Sequence, residues 1–329
     1  MTNRRVVIVL GLAAFARALP SIAQQASATP RIGFLYFGSR ESAIATGRYK
    51  SFLDGMHDQG YVAGRHFTLE ERFAAGNTEA LAAAARELVR LKVDVIVATG
   101  NPAVQAAQKA TSDVPIVVTA TGDPVREGFA LSLVRPGRNI TGLYSSSFEL
   151  IGKQMELFQL LLPKLSRVAV LQSPANSNHP VMVKTAESFA AKSRIGVQVL
   201  QARTKDDIDR AFDDMARGRA QALLICADTF FLQQAPQISE LAIKHRLPTL
   251  AWTREFAAAG GLMSYGQDAN DNFRLAAGYV DKIFKGLKPS ELPFSRSPKV
   301  SLTINRRTFR ALGLTLSKEL EARVDEVIE

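Results

Sequence analysis

The 329-residue chain holds one cysteine, Cys226, and one tryptophan, Trp252. A single thiol excludes an internal disulfide framework and every site that needs two, such as a zinc ribbon, a CxxC redox pair or a two-cysteine racemase. Histidine is scarce as well. His57, His66, His179 and His245 form no HxxxH or HxH pair, so metal chemistry has little to build on and no cofactor is expected. There is no P-loop and no GxGxxG, which leaves nucleotide chemistry without support. No apolar run reaches the ~18–20 residues that span a bilayer, so the mature protein is expected to be soluble and not membrane-spanning.

What is present is a folded chain, with 47% hydrophobic and 22% charged residues. At ~100–200 residues per domain its length suggests two domains. The first residues have the layout of a secretory signal: Arg4 and Arg5, then the apolar VVIVLGLAAFA (Val6–Ala16), then Ser21 and Ala23 as small residues before a cut. A leader over 1–23, cleaved near Ala23, places the mature protein outside the cytoplasm, in the periplasm. Its loss removes Arg4, Arg5 and Arg17 and no acid, taking the net charge from +10 to +7. The remaining basic residues are dispersed, with no basic run interleaved with aromatics, so no nucleic-acid partner is expected.

From Arg31 onward, short β-branched runs alternate with segments of helical period. Candidate strands are 31–37, 66–73, 93–99, 115–121 and 139–145, then 167–173, 197–203, 222–228, 248–254 and 261–267. Uninterrupted apolar strands between helices predict an α/β fold with parallel sheets covered on both faces. The two series repeat one plan. DVIVATGNPAVQAAQKATSDVPIVVTA and ALLICADTFFLQQAPQISELAIKHRLPTLAW each run strand, helix, proline, strand. Each is followed by a glycine-marked short strand, NITGLYSSS or GGLMSYGQD, and then a long helix, 148–162 or 271–286. Two similar Rossmann-like lobes joined by a hinge are expected. Lobe 1 takes 31–146 plus about 268–295, and lobe 2 takes 147–267 plus about 296–329.

Ligands of open parallel sheets bind beyond the carboxyl ends of the strands, where helix N-termini point. After the first strand, Ser39 or Ser42 caps a helix or offers a hydroxyl. After the third comes Thr99-Gly100-Asn101-Pro102, where Asn101 suits an N-cap and Pro102 the first helical position, which would turn backbone N–H groups toward an anion. After the fourth, Thr121 precedes a turn in which Asp123 caps a helix or accepts a ligand ammonium. In the second series Pro174, Asn176, Ser177 and Asn178 follow the first strand, as a plain loop or as a carboxylate or amide clamp. Asp228 ends another strand, and Trp252, Glu255 and Phe256 stand at or just beyond the next. An aromatic pair beside a carboxylate suits an aromatic amine, although Trp252 equally suits a core. Tyr144 with Ser145, and Tyr265, hold comparable places in the two glycine-marked strands.

Other features read as structural. The fragment MSYG (263–266) has Leu262 where a GxSxG elbow needs glycine, and of the histidines only His179 sits near a strand end, so a secreted hydrolase is the weaker alternative. Asp206, Asp207, Asp209, Asp213 and Asp214 spread over several helix faces and make a solvated surface rather than a metal site. Cys226, inside ALLICAD, reads as a small core residue.

The block DPVREGFALSLVRPGRNITGLYSSS carries a family resemblance. Asp123-Pro124-Val125, the run Arg135-Pro136-Gly137-Arg138-Asn139-Ile140-Thr141-Gly142, KIFKGLKPSELP (282–293) and the closing SLTINRRTFRALGLTL together resemble the ABC-transporter substrate-binding proteins of the tryptophan/tyrosine-binding type. The likeness covers residues 31–318. It implies the type I periplasmic-binding fold, a monomer, and capture of a small solute, an amino acid or related carboxylate, aromatic or not, for an ABC-transporter permease. A ligand-sensing module for a membrane receptor would have the same sequence. The resemblance assigns Ser39, Asn101, Thr121 and Asp123 to the ligand's carboxylate and amine. With the strand-end positions, the candidate ligand-binding set is Ser39, Thr99, Gly100, Asn101, Thr121, Asp123, Tyr144, Ser145, Pro174, Asn176, Asn178, Asp228, Trp252, Glu255, Phe256 and Tyr265.

Overall fold

A computed structural model of the protein describes residues 29–145, 147–296 and 300–329. The expected leader and its cut near Ala23 lie outside the described residues. The first sheet comprises β1 (Arg31–Tyr36), β2 (Thr68–Phe73), β3 (Val95–Thr99), β4 (Ile116–Ala120) and β5 (Ile140–Gly142). It is wholly parallel, in the order β2-β1-β3-β4-β5. Its connections are α1 (Arg40–Ala45), α2 (Arg48–Asp58), α3 (Thr78–Arg90) and α4 (Gly100–Ala110). The central strand β3 reads VIVAT and is buried throughout, as a strand covered on both faces must be. Asn77 starts α3 by accepting from the backbone N–H groups of Glu79 and Ala80, each at 2.9 Å.

The chain then passes through α5 (Ser147–Leu161) into a second sheet. There β6 (Arg167–Gln172), α6 (His179–Lys192), β7 (Gly196–Gln201), α7 (Lys205–Arg217) and β8 (Ala222–Ile225) follow one another. Next come α8 (Thr229–Gln233), α9 (Ala235–Lys244), β9 (Thr249–Ala251), α10 (Arg254–Ala258) and β10 (Met263–Gln267). Strands β7-β6-β8-β9-β10 repeat the order of the first sheet, and β11 (Val300–Asn305) and β12 (Glu326–Ile328) extend it. Between β10 and β11 the chain returns to the first sheet as α11 (Ala269–Phe284), while α12 (Arg306–Ala311) and α13 (Lys318–Glu321) close the second. Parallel sheets alone were expected; β11 instead runs antiparallel to β10. Its return from the first sheet requires no right-handed crossover and so brings it in from the opposite end.

Helix α11 lies against α2. Gly55 allows that approach, because a Cβ there would stand 2.5 Å from the Arg274 carbonyl oxygen. One apolar core cluster contains residues of both sheets, among them Phe37, Phe230 and Phe231. The carboxyl ends of the two sheets therefore face each other with their loops in contact. Cys226 is fully buried in the second sheet's core, and burial pushes its thiol pKa up, away from reactivity. Among the described residues no helix is long and apolar enough to cross a membrane, and no cluster of three or more His, Cys, Asp or Glu could hold a metal.

Candidate functional site

Between the sheet ends lies a cavity walled by residues of both lobes, with about 830 Å³ of empty space when the open mouth is counted. Strand ends supply much of its wall. Thr99, Gly100, Asn101, Thr121, Ser145, Asn176, Asn178, Asp228 and Trp252 all line it, as the strand-end rule anticipated.

From the first sheet, Thr99 rather than Asn101 occupies the cap of α4, and Gly100 takes φ +77° there. The helix starts two residues earlier than expected, so Asn101 falls inside the first turn and its side chain is free for other work. Asn101, 3% exposed, accepts at Oδ1 from Thr121 Oγ1 (2.6 Å) and from Gly122 N–H (3.2 Å). Its Nδ2 donates to Ser177 Oγ at 3.1 Å, across to the second lobe. The cavity thus meets the positive end of α4 beside the hydroxyls of Thr99 and Thr121, an arrangement suited to a carboxylate.

From the second sheet, Asp228 is 4% exposed and caps α8, its Oδ1 accepting from Phe230 N–H at 2.8 Å. Asn176 Nδ2 donates to Asp228 Oδ2 at 2.9 Å and so fixes the carboxylate's orientation. A buried carboxylate lining a cavity suits a ligand ammonium. Next to it, His179 is fully buried. Its Nδ1 accepts from Ser173 N–H at 2.7 Å and its Nε2 donates to the Ala227 carbonyl at 3.1 Å. Burial lowers its pKa, outweighing the opposing influence of Asp228, so the ring is a neutral brace. Ser264, the serine of the S-x-G fragment, is 1% exposed within β10.

Seven of the expected residues lie elsewhere. Ser39 caps α1 by accepting from Ser42 N–H, and its own N–H reaches Gln233. Asp123 caps a turn, accepting from Val125 and Arg126 N–H, which is the capping option. Tyr144 and Tyr265 pack against different apolar clusters, and Phe256 is fully buried because α10 turns its apolar face to the core. Glu255 bonds Thr253 Oγ1 and faces Arg48. Pro174 lines a separate hollow with Phe37, Gly76, Thr78, Arg203 and Phe230.

Helices as well as strand ends contribute to the cavity wall, among them Arg48 on α2, and Asn272 and Phe273 on α11. The Arg48 side chain is 5% exposed, with Glu255 Oε1 at 3.8 Å and the Phe273 ring at 5.9 Å. Burial works against its charge, but Tyr36 and Glu255 raise its pKa nonetheless, and it is a fixed cation. Its Nε has no hydrogen-bond partner, and leaving such a donor unmet costs about 1–3 kcal/mol. A polar residue on the apolar stripe of a helix is the sequence signal that would have found it: Arg48 heads the buried row Phe52, Gly55 and Met56.

The lobes also touch beside the cavity. Ser177 Oγ bonds Glu127 Oε2 and accepts from Gln105 Nε2 at 2.8 Å, and Arg126 Nη2 donates to Asn178 Oδ1 at 2.6 Å.

A family model described as ABC transporter substrate binding protein matches residues 40–328. The Tyrosine-binding protein of Clostridioides difficile (strain R20291) is 26% identical over 265 residues, 80% of this chain and 76% of that protein. The ABC domain from Streptococcus pneumonia in complex with L-Trp superimposes with a TM-score of 0.83 at 23% identity, over 92% of this chain and 100% of that one. A ligand-free, open structure of a Clostridium difficile substrate-binding protein with adhesive properties gives 0.63, also at 23% identity, over 91% and 99%.

Proposed function

The chain belongs to the ABC transporter substrate-binding protein family, and from that premise we propose that it captures an α-amino acid between its lobes and presents the closed form to a membrane permease. The observation that carries this reading is one cavity lined by both Asp228 and the start of α4. Asp228 pairs with the ligand's ammonium. The N–H groups of α4, with Thr99 and Thr121, receive the carboxylate. Phe37, Trp252 and Phe273 offer flat apolar walls to a side chain, which favours an aromatic one. The relatives described as binding tyrosine and L-Trp support the same class.

Residues 31–146 with 268–295, and 147–267 with 296–329, are the two bodies that close, through the three chain crossings that join them. The mature monomer begins after a leader cut near Ala23 and works in the periplasm. It binds without turnover: both nitrogens of His179 are engaged in holding the loop, so this imidazole is not available as a base.

A thermal-shift screen of ligand-stripped protein against amino acids, aromatic acids, branched acids and sugars tests this reading. A solute at ~1,000 times its dissociation constant adds about 4 kcal/mol, enough to raise the midpoint by several degrees. An amino acid that stabilises and is recovered unchanged is the expected result. Stabilisation by sugars alone, or a consumed ligand, overturns it.

A further inference from the structure

Gly122 follows β4 at the cavity wall, and the atoms nearest to its missing side chain belong to the other lobe. A Cβ built there would stand 2.3 Å from Asn178 Oδ1, 2.4 Å from Asn178 Cγ and 2.8 Å from Asn178 Nδ2. The backbone does not ask for glycine, because Gly122 is not among the glycines of positive φ. It is the opposing lobe that excludes a side chain.

Asn178 is held in that place. It is 4% exposed, its Oδ1 accepts from Arg126 Nη2 at 2.6 Å, and its backbone N–H donates to Asn176 Oδ1 at 3.1 Å. Asn176 Nδ2 in turn donates to Asp228 Oδ2 at 2.9 Å. On the other side, Gly122 N–H donates at 3.2 Å to Asn101 Oδ1, in the first turn of α4. The contact of Gly122 with Asn178 thus links Asp228, through Asn176, to the start of α4, through Asn101. A second contact frames the same carboxylate: a Cβ on Gly76 would stand 3.1 Å from the Phe230 ring, and Phe230 N–H bonds Asp228 Oδ1. Gly76 has φ +85°, so its backbone favours glycine on its own account, whereas at Gly122 the lobe contact alone decides.

We propose that Gly122 and Asn178 are positioning residues: the space of the absent side chain admits Asn178, and this contact sets the separation at which Asp228 and the start of α4 grip one ligand. The inference rests on the amino-acid reading above and adds what fixes the spacing of its two ends. A methyl at position 122 acts as a wedge between the lobes, not as a defect within the first.

Calorimetric titration of ligand-stripped wild type with each standard amino acid supplies the probe, which is then titrated into Gly122→Ala, Asn178→Ala and the double variant. Gly122→Ala should weaken binding at least about tenfold, since an added methyl in a filled contact forces the lobes apart. Asn178→Ala removes all three atoms that the methyl strikes, so adding Gly122→Ala to it should change affinity by less than about threefold. Without ligand, Gly122→Ala should melt within a few degrees of the wild type. A second readout follows the lobes themselves, through spin labels on Lys109→Cys of α4 and Glu187→Cys of α6, both exposed, with Cys226 buried away from the label. At saturating probe, Gly122→Ala should lengthen that distance, and this decides if Asn178→Ala binds too weakly to titrate. An equal loss in both backgrounds, no loss in the wild-type background, an unchanged distance, or a Gly122→Ala protein that fails to fold overturns the inference and leaves the amino-acid reading standing. If no amino acid binds the wild type, both fall.

Discussion

Asn101 of the first lobe donates from Nδ2 to Ser177 Oγ of the second at 3.1 Å, while its Oδ1 is held by Thr121 and Gly122. One side chain thus shapes the cavity wall and joins the lobes. In the proposed function, ligand capture and lobe closure are coupled through this residue, which lies where the start of α4 meets the opposing loop.

Ser177 lies outside the cavity lining, and its hydroxyl also bonds Glu127 and Gln105. Ser177→Ala should lower affinity by roughly threefold to tenfold through the loss of closed-state hydrogen bonds. Stopped-flow displacement should place most of that loss in faster dissociation. An unchanged rate would remove Ser177 from the latch.

Asn101→Ala should weaken binding by more than about tenfold, because three hydrogen bonds around the anion site disappear together. Thermal unfolding without ligand should fall by a few degrees only, since the fold of the first sheet does not depend on that side chain. Equal affinity in the variant would exclude Asn101 from the site.

Asp228→Asn separates charge from fold. Asparagine is as good a cap as aspartate, so α8 keeps its start and the ligand-free protein should melt within a few degrees of the wild type. Affinity for an ammonium-bearing ligand should drop by at least about tenfold, as measured by calorimetry. Retention of full affinity would place the ammonium elsewhere.

His179 sets a pH dependence. Because burial lowers its folded pKa below the ordinary 6.5, the unfolded chain takes up a proton that the folded chain does not. Its contribution is therefore complete above about pH 6.5 and is lost as pH falls below that value, by at most about 1.4 kcal/mol per pH unit. Urea unfolding at pH 7, 6 and 5 should show this decline, and His179→Gln should flatten it. The same slope in the variant would assign the decline to other groups.

The α/β class and the repeated strand order were legible because buried β-branched runs and amphipathic helices have distinct periods. The direction of β11 was not, since side-chain alternation is the same in either sense. In the site, the strand-end rule located Asn101, Thr121, Asn176 and Asp228, whose place depends on local chain direction. It missed Arg48 and Asn272, which only the docking of α11 on α2 turns toward the cavity. Phe256 and Tyr265 show the converse: aromatics next to strand ends go to the core when the neighbouring sheet face needs filling.

The most direct test of the central claim compares the amino acid giving the largest thermal shift with its own amine and its own deaminated acid, by calorimetric titration. If Asp228 holds the ammonium and α4 the carboxylate, only the intact amino acid binds tightly, and each analogue is weaker by at least about tenfold. An amine or an acid that binds as tightly as the amino acid would contradict the account.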